Sequence, residues 1–109
     1  MNREKSDKEL LEILKDENSE YGERIDAAVL LSESNIKGLE SAYKKILVNL
    51  PDQPDILMDE CALNLAIIWD KQGLLDVSTY NKLGLEAKAV ICRYLKTRRK
   101  EWLQVLEKC

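Results

Sequence analysis

The sequence lacks histidine and phenylalanine, and it has only four glycines and two prolines in 109 residues. Without histidine, it can form neither the usual Ser–His or Cys–His catalytic pairs nor the commonest protein metal site. CxxC, HExxH, GxSxG and glycine-rich phosphate-loop motifs are absent as well. The sequence therefore predicts a protein that is not an enzyme and that holds no cofactor or metal ion.

Long apolar runs are also absent, since none approaches the roughly 20 residues that span a bilayer. The first ten residues, MNREKSDKEL, carry no apolar segment of the kind found in signal peptides. Three widely spaced cysteines (Cys61, Cys92 and Cys109) do not form a disulfide framework. We therefore expect free thiols, a cytoplasmic location and no membrane contact.

The residues that are abundant are those of a helical protein. Apolar residues make up 45% of the chain and charged residues 34%, and Leu, Ile, Ala, Lys and Glu dominate. No alternation of apolar and polar residues lasts long enough to predict a strand. A chain of this length can bury one core, so we expect a single domain over residues 1–109.

Apolar residues recur at steps of three and four along most of the chain, which is typical of amphipathic helices. Ser6 and Glu9 have the spacing of a capping box, and Ser34 or Asn35 can cap a later helix. After Gly73, a predicted helix stop, Asp76 or Ser78 can cap either one long helix to about residue 108 or two helices with a bend near Thr97. The four helices predicted before Gly73 cover about residues 7–17, 20–33, 36–50 and 54–72.

The segment NLPDQPDILMDECALNLA joins the third and fourth predicted helices. Pro51 ends the third, and Pro54 suits the first turn of the fourth because it lacks an amide hydrogen. Asp52 and Asp55 lie near that helix start, where unpaired N–H groups favour carboxylates. About half of the acidic character of this segment thus has a local structural reason.

Two pairs of predicted helices, at 7–33 and 36–72, resemble each other at an offset of 34 to 36 residues. A period near 35 made of two helices is typical of α-solenoids. The second pair, GLESAYKKILVNLPDQPDILMDECALNLAIIWDKQG, resembles a HEAT-type repeat, and the likeness extends from Leu10 to Gly73. No convincing third repeat is visible around Glu86 to Leu95. We expect an all-α fold: a compact bundle of about five to six helices built from antiparallel HEAT-like hairpins.

Charge is divided unevenly along the chain. Residues 1–60 hold 8 Lys or Arg against 15 Asp or Glu, whereas residues 61–109 hold 9 against 5. Such an asymmetry suggests a charged partner. The basic run from Arg93 to Lys100 could contact phosphate, but cations also favour a helix C-terminus and the chain as a whole is acidic.

In size, charge and helical build, the sequence is similar to the small all-helical immunity proteins of bacterial contact-dependent growth inhibition systems. That resemblance implies a cytoplasmic protein that neutralises a cognate toxin, such as a basic nuclease, by covering its active site. We expect a monomer within a 1:1 complex, with no direct binding of nucleic acid. The expected contact surface is an acidic edge made of Glu20, Glu23, Asp26, Asp52, Asp55, Asp59 and Glu60.

Two other functions fit the sequence. A HEAT-like adaptor would bind a peptide or helix of a protein partner through the second helix of each hairpin, where these helices pack side by side. A small regulator would bind nucleic acid through the basic C-terminal helix, with an affinity that falls steeply as salt rises.

Overall fold

The first helix begins where the sequence predicts. The computed structural model describes residues 5–106. The Ser6 hydroxyl accepts the Glu9 N–H at 3.1 Å, and the Glu9 carboxylate accepts the Ser6 N–H at 3.0 Å. This reciprocal pair satisfies two of the donors that a helix start leaves unpaired, so the predicted capping box is confirmed.

Six α-helices and one 3-10 helix make up the regular structure of the described residues, which contain no strand. The all-α bundle expected from the sequence is confirmed. The helices are α1 (Asp7–Lys15), α2 (Tyr21–Leu30), α3 (Leu39–Asn49), α4 (Ile56–Gln72), α5 (Val77–Lys82), α6 (Leu85–Arg98) and the 3-10 helix η1 (Lys100–Val105).

Helix α3 starts three residues later than predicted, and neither expected cap is used. Gly38 occupies the N-cap position with φ of 93°, a left-handed conformation that favours glycine. Ser34 instead stabilises the loop before it, because its hydroxyl accepts the Ile36 N–H at 3.1 Å and donates to Asp7. The polar residues that interrupt the sequence pattern here shape a loop and do not begin a helix.

The two ends of α4 lie close to where the prolines and Gly73 predict them, with one correction. Gly73 ends the helix in the left-handed region, with φ of 67°, as predicted. At the other end, Asp55 is the N-cap and its carboxylate accepts the Met58 N–H at 2.9 Å. Pro54 therefore precedes the cap and does not lie in the first turn.

Beyond Gly73 the helical structure is interrupted at a position that the sequence did not indicate. Asp76 caps α5, one of the two predicted caps, but α5 ends at Lys82 and α6 begins after Gly84. Helix α6 ends at Arg98, close to the bend considered near Thr97, and η1 continues the chain. The alternative of one long helix is therefore wrong, and an additional interruption separates α5 from α6.

The helices are arranged as consecutive pairs. In the first pair, the Arg24 guanidinium near the start of α2 donates to the Leu14 carbonyl near the end of α1, at 3.0 Å. In the second pair, Glu40 at the start of α3 accepts hydrogen bonds from Trp69 and Gln72 at the end of α4. Both pairs are thus antiparallel hairpins, as the sequence predicts.

Helices α2, α4 and α6 lie side by side and run parallel. Tyr21 contacts the start of α4, and Ala28 further along α2 contacts Asn64 of α4. Asp52, before α4, contacts the start of α6, and Asp70 contacts its end. Helix α6 is thus a third member of this parallel row, and it is preceded by the short helix α5 of six residues.

Helix α4 lies in the centre of this arrangement and is buried on most sides, since it packs against α2, α3 and α6. Its core side chains include Leu57, Cys61, Leu65 and Trp69, all fully buried. The radius of gyration is 13.8 Å, close to the roughly 13 Å expected of a compact chain of this length. Within residues 5–106, no helix combines the length and apolar character needed to cross a membrane.

Candidate protein-binding edge

The N-terminal ends of α2, α4 and α6 meet along one edge of the molecule. Glu20 precedes α2, Asp55 caps α4, and Asp52 contacts the first turn of α6. Because carboxylates are favoured at helix N-termini, parallel packing of three helices gathers acidic residues on a common edge. Three of the seven residues expected in an acidic edge, Glu20, Asp52 and Asp55, therefore lie at or near helix starts, and they differ in what they do.

Asp52 stabilises the start of α6. Its two carboxylate oxygens accept the N–H groups of Leu85 and Glu86, each at 3.0 Å. These two main-chain hydrogen bonds hold the pKa of Asp52 below its usual range. Gly84 allows the approach, because a Cβ there would lie 2.5 Å from Cγ of Asp52. Asp52 is thus committed to a helix start.

Asp55 joins two neighbouring helices. Besides capping α4, its carboxylate accepts the Tyr21 hydroxyl of α2. That hydroxyl in turn accepts the Leu57 N–H at 3.1 Å. Burial, together with the hydrogen bond to Asp55, raises the pKa of Tyr21. Two of the seven expected contact residues, Asp52 and Asp55, therefore already have structural partners.

Asp59 and Glu60 lie in a shallow groove of about 390 Å³ between α4 and α6. Both are half-buried. The Asp59 Oδ1 atom is buried and has no hydrogen-bond partner within residues 5–106. Arg93 lines the same groove. This groove holds one acidic pair and one cation, over an apolar floor that includes Leu63 and Val90.

Glu23 and Asp26 line a different groove, of about 440 Å³, between α1 and α2. Asp7 adds a third carboxylate, and Lys5 a single positive charge. The floor is apolar, and Leu30 projects into solvent with 66% of its surface exposed. The groove also includes Leu10, Ile13 and Ala27. The seven expected residues therefore do not form one uniform surface.

Of the eight residues that line this groove, only Glu23 and Asp26 were expected at the contact, and Asp7 and Leu30 are among those that the sequence reasoning missed. Glu23, Ala27 and Leu30 follow one another at steps of four and three residues, so they share a face of α2. Leu10 and Ile13 share a face of α1 in the same way. Spacing could therefore have placed Leu30 beside Glu23, but only the tertiary packing brings Asp7 to them.

At the opposite ends of the parallel helices, part of the basic run is committed to Asp70. Arg99 donates to the Asp70 carboxylate at 2.7 Å and to its carbonyl at 2.7 Å, and Arg98 approaches the same carboxylate at 3.3 Å. The hydrogen bonds from Arg99, and then from Tyr94, hold the pKa of Asp70 below its usual range. The Arg99 guanidinium also lies 4.9 Å from the Trp102 ring centre.

The chemistry available to the described residues is limited. No group of three His, Cys, Asp or Glu side chains between residues 5 and 106 is arranged to hold a metal ion. Cys61 is a free, fully buried thiol, whereas Cys92 is disulfide-bonded. The expectation of free thiols is therefore wrong for Cys92 and right for Cys61, while Cys109 lies outside the described residues.

No family model, curated protein or solved structure matches this chain. What can be inferred about its function comes from the surfaces described above.

Proposed function

We propose that this protein is a non-catalytic binding protein that neutralises one cognate toxin by covering its active site. The observation that supports the proposal most directly is the groove between α1 and α2. Three carboxylates (Asp7, Glu23 and Asp26) surround an apolar floor with an exposed leucine. An apolar centre with a charged rim is a common design of protein interfaces.

Charge indicates the kind of partner. Residues 1–60 carry seven more acidic than basic residues, from the 15 and 8 that they contain. Such a surface steers association towards a basic protein. A nuclease active site is basic because it must bind phosphate, so a bound acidic protein would cover it. We assign the groove and the neighbouring Glu20 to the contact. We exclude Asp52 and Asp55 from it, because their carboxylates stabilise helix starts.

The Asp59 and Glu60 groove is a second part of the proposed surface. It lies along α4 and α6, and its half-buried carboxylates can pair with a cation of the partner. The buried Asp59 Oδ1 atom is not accessible to a partner, so the exposed parts of the two carboxylates would make this contact.

The HEAT-like adaptor remains the alternative because the same groove carries an apolar strip. Leu63 and Val90 line it, and Leu63 is half-buried. A helix of a protein partner could lie there with its apolar face down. The nucleic-acid regulator has less support, because Asp70 already pairs with Arg98 and Arg99 of the basic run.

The experiment is co-purification from the source organism with the full chain as bait, at moderate salt, followed by mass spectrometry. The proposal expects one stoichiometric partner whose toxic activity disappears when it is bound. Several substoichiometric partners would favour the adaptor. Recovery of nucleic acid alone would overturn both and move the function to the basic helix.

A matched pair of variants then tests the surface. Glu23→Lys combined with Asp26→Lys should slow association with the isolated partner by about tenfold or more at low salt, since charge steering commonly changes rates by that much. Glu12→Lys combined with Glu33→Lys, at exposed positions outside the groove, makes the same change of net charge; it is the control and should have a smaller effect. Equal rates for the two variants would show that the α1–α2 groove is not the contact.

A further inference from the structure

Three cations surround a cavity on the other side of the first hairpin. The cavity has a volume of about 370 Å³ and lies between α3 and the turn that joins α1 to α2. Lys15, Arg24 and Lys45 line it, with Glu17 as the one acidic residue among its lining. None of the three cations forms an ion pair with another residue in the range 5–106.

The floor of this cavity is apolar. Ala42 and Ile46 of α3 and Leu50 just after it, at steps of four residues, line the cavity on one side. Ser41 and Asn49 add neutral hydrogen-bonding groups. A concave, largely apolar site with a few convergent polar groups is typical of small-molecule sites, and its volume falls within their usual range of about 300–1,000 Å³.

Arg24 is fixed in a position suited to an anion. Its Nε atom donates to the Leu14 carbonyl at 3.0 Å, which anchors the half-buried side chain at the end of α1. The Nη1 and Nη2 atoms have no hydrogen-bond partner in the described part of the chain. A guanidinium held through Nε can still offer both of these nitrogens to a carboxylate or phosphate.

We propose that this cavity binds a small organic anion, with its carboxylate or phosphate group on Arg24, Lys15 and Lys45 and its apolar body against Ile46 and Leu50. The volume of about 370 Å³ lies near the lower end of the range of small-molecule sites. It therefore suits a small ligand, such as a single ring or a short chain with one anionic group. This site is separate from the acidic groove, and its existence does not depend on the proposed function.

The test is an NMR titration of the isotope-labelled full chain with matched probes. Benzoate and phenyl phosphate carry both the apolar body and the anion. Acetate and inorganic phosphate carry the anion alone, and benzyl alcohol carries the ring alone. The proposal expects shifts of the amides from Ser41 to Leu50 and of the Arg24 side-chain N–H, with tighter binding of the first two probes than of the other three.

Whether benzoate or phenyl phosphate binds more tightly distinguishes a carboxylate ligand from a phosphate ligand. Binding of benzyl alcohol as tight as that of benzoate would overturn the proposal, since the cations would then contribute nothing. Absence of saturable shifts for both anionic ring probes at millimolar concentration would overturn it as well.

Variants of the exposed lysines test the charges without disturbing the core. Lys15→Gln and Lys45→Gln should each weaken binding about twofold to fivefold, the range expected when one exposed ion pair is lost. Lys82→Gln, an exposed lysine in α5 outside the cavity, is the matched control and should leave the affinity unchanged. Equal effects of all three substitutions would indicate non-specific attraction and contradict the assigned site.

Discussion

The Asn64 side-chain amide of α4 donates to the main-chain carbonyl of Ala28 in α2 at 2.9 Å, and to the Tyr43 hydroxyl of α3 at 3.2 Å. Asn64 is the one buried polar or charged residue within the range 5–106. Burial raises the pKa of Tyr43, so its hydroxyl stays neutral. A single amide thus connects three helices at the centre of the bundle.

We expect Asn64→Ala to lower the free energy of unfolding by about 1–3 kcal/mol. It leaves the buried Tyr43 hydroxyl oxygen without its donor, and the Ala28 carbonyl with only the longer hydrogen bond from Tyr43, at 3.4 Å. Urea denaturation followed by circular dichroism measures the change. Asn81→Ala, at an exposed position of α5, is the control and should be nearly neutral. A loss as small as that of the control would show that the Asn64 hydrogen bonds do not stabilise the fold.

The fit of Gly84 against Asp52 gives a second prediction. Gly84→Ala should destabilise the protein by about 1–3 kcal/mol, the usual cost of overpacking, because the new Cβ would displace the Asp52 carboxylate from α6. Gly22→Ala is the control, since a Cβ there meets no atom within 4 Å. Thermal unfolding of both variants measures the difference.

Coupling between these two residues can be tested with a double-mutant cycle. If Gly84→Ala acts by displacing Asp52, its cost should shrink in an Asp52→Gly background, where no side chain is left to displace. Strictly additive effects would mean that Gly84 matters for another reason.

Asp76 predicts a dependence of stability on pH. Asp76 caps α5 and forms an ion pair with Lys44 at 2.6 Å. The hydrogen bond from Lys44, followed by those from Thr79, lowers the pKa of Asp76 to about 2. Since the folded pKa is the lower one, the stabilisation is full above the unfolded pKa of about 4 and is lost as the pH falls towards 2.

Asp76→Asn keeps a competent cap but removes the charge. We expect it to cost about 1–2 kcal/mol at pH 7, with the partial exposure of the pair already discounted. The gap between the two proteins should close between pH 4 and pH 2, as measured by urea denaturation at several pH values. A gap that stays constant down to pH 2 would contradict the role assigned to the Asp76 charge.

The buried Cys61 thiol should be inert in the folded protein. Its side chain is fully buried, and burial raises the pKa of the thiol to about 12, although the nearby Arg24 charge opposes that rise. Because the thiolate is the reactive form, a thiol reagent at pH 8 should label Cys61 only after denaturation. Peptide mass spectrometry of native and denatured samples checks this, and rapid native labelling would contradict the observed burial.

Local chemistry made much of the fold predictable. The Ser6 cap and the Gly73 stop lie within a few residues of the groups they serve, so the sequence alone places them. The apolar stripe of Leu57, Cys61 and Leu65 is likewise visible from helical spacing and is fully buried. The break at Gly84 was missed because its cause, Asp52, lies 32 positions earlier in the chain.

The sequence by itself determined that this chain is helical, paired and divided in charge, because helical periodicity, caps and net charge are properties of neighbouring residues. The tertiary structure alone decided that α2, α4 and α6 run parallel. That packing commits Asp52 and Asp55 to helix starts, and it assigns Glu23 and Asp26 to one groove and Asp59 and Glu60 to another. Contacts between residues more than 30 positions apart depend on how the helices pack, which no local pattern specifies.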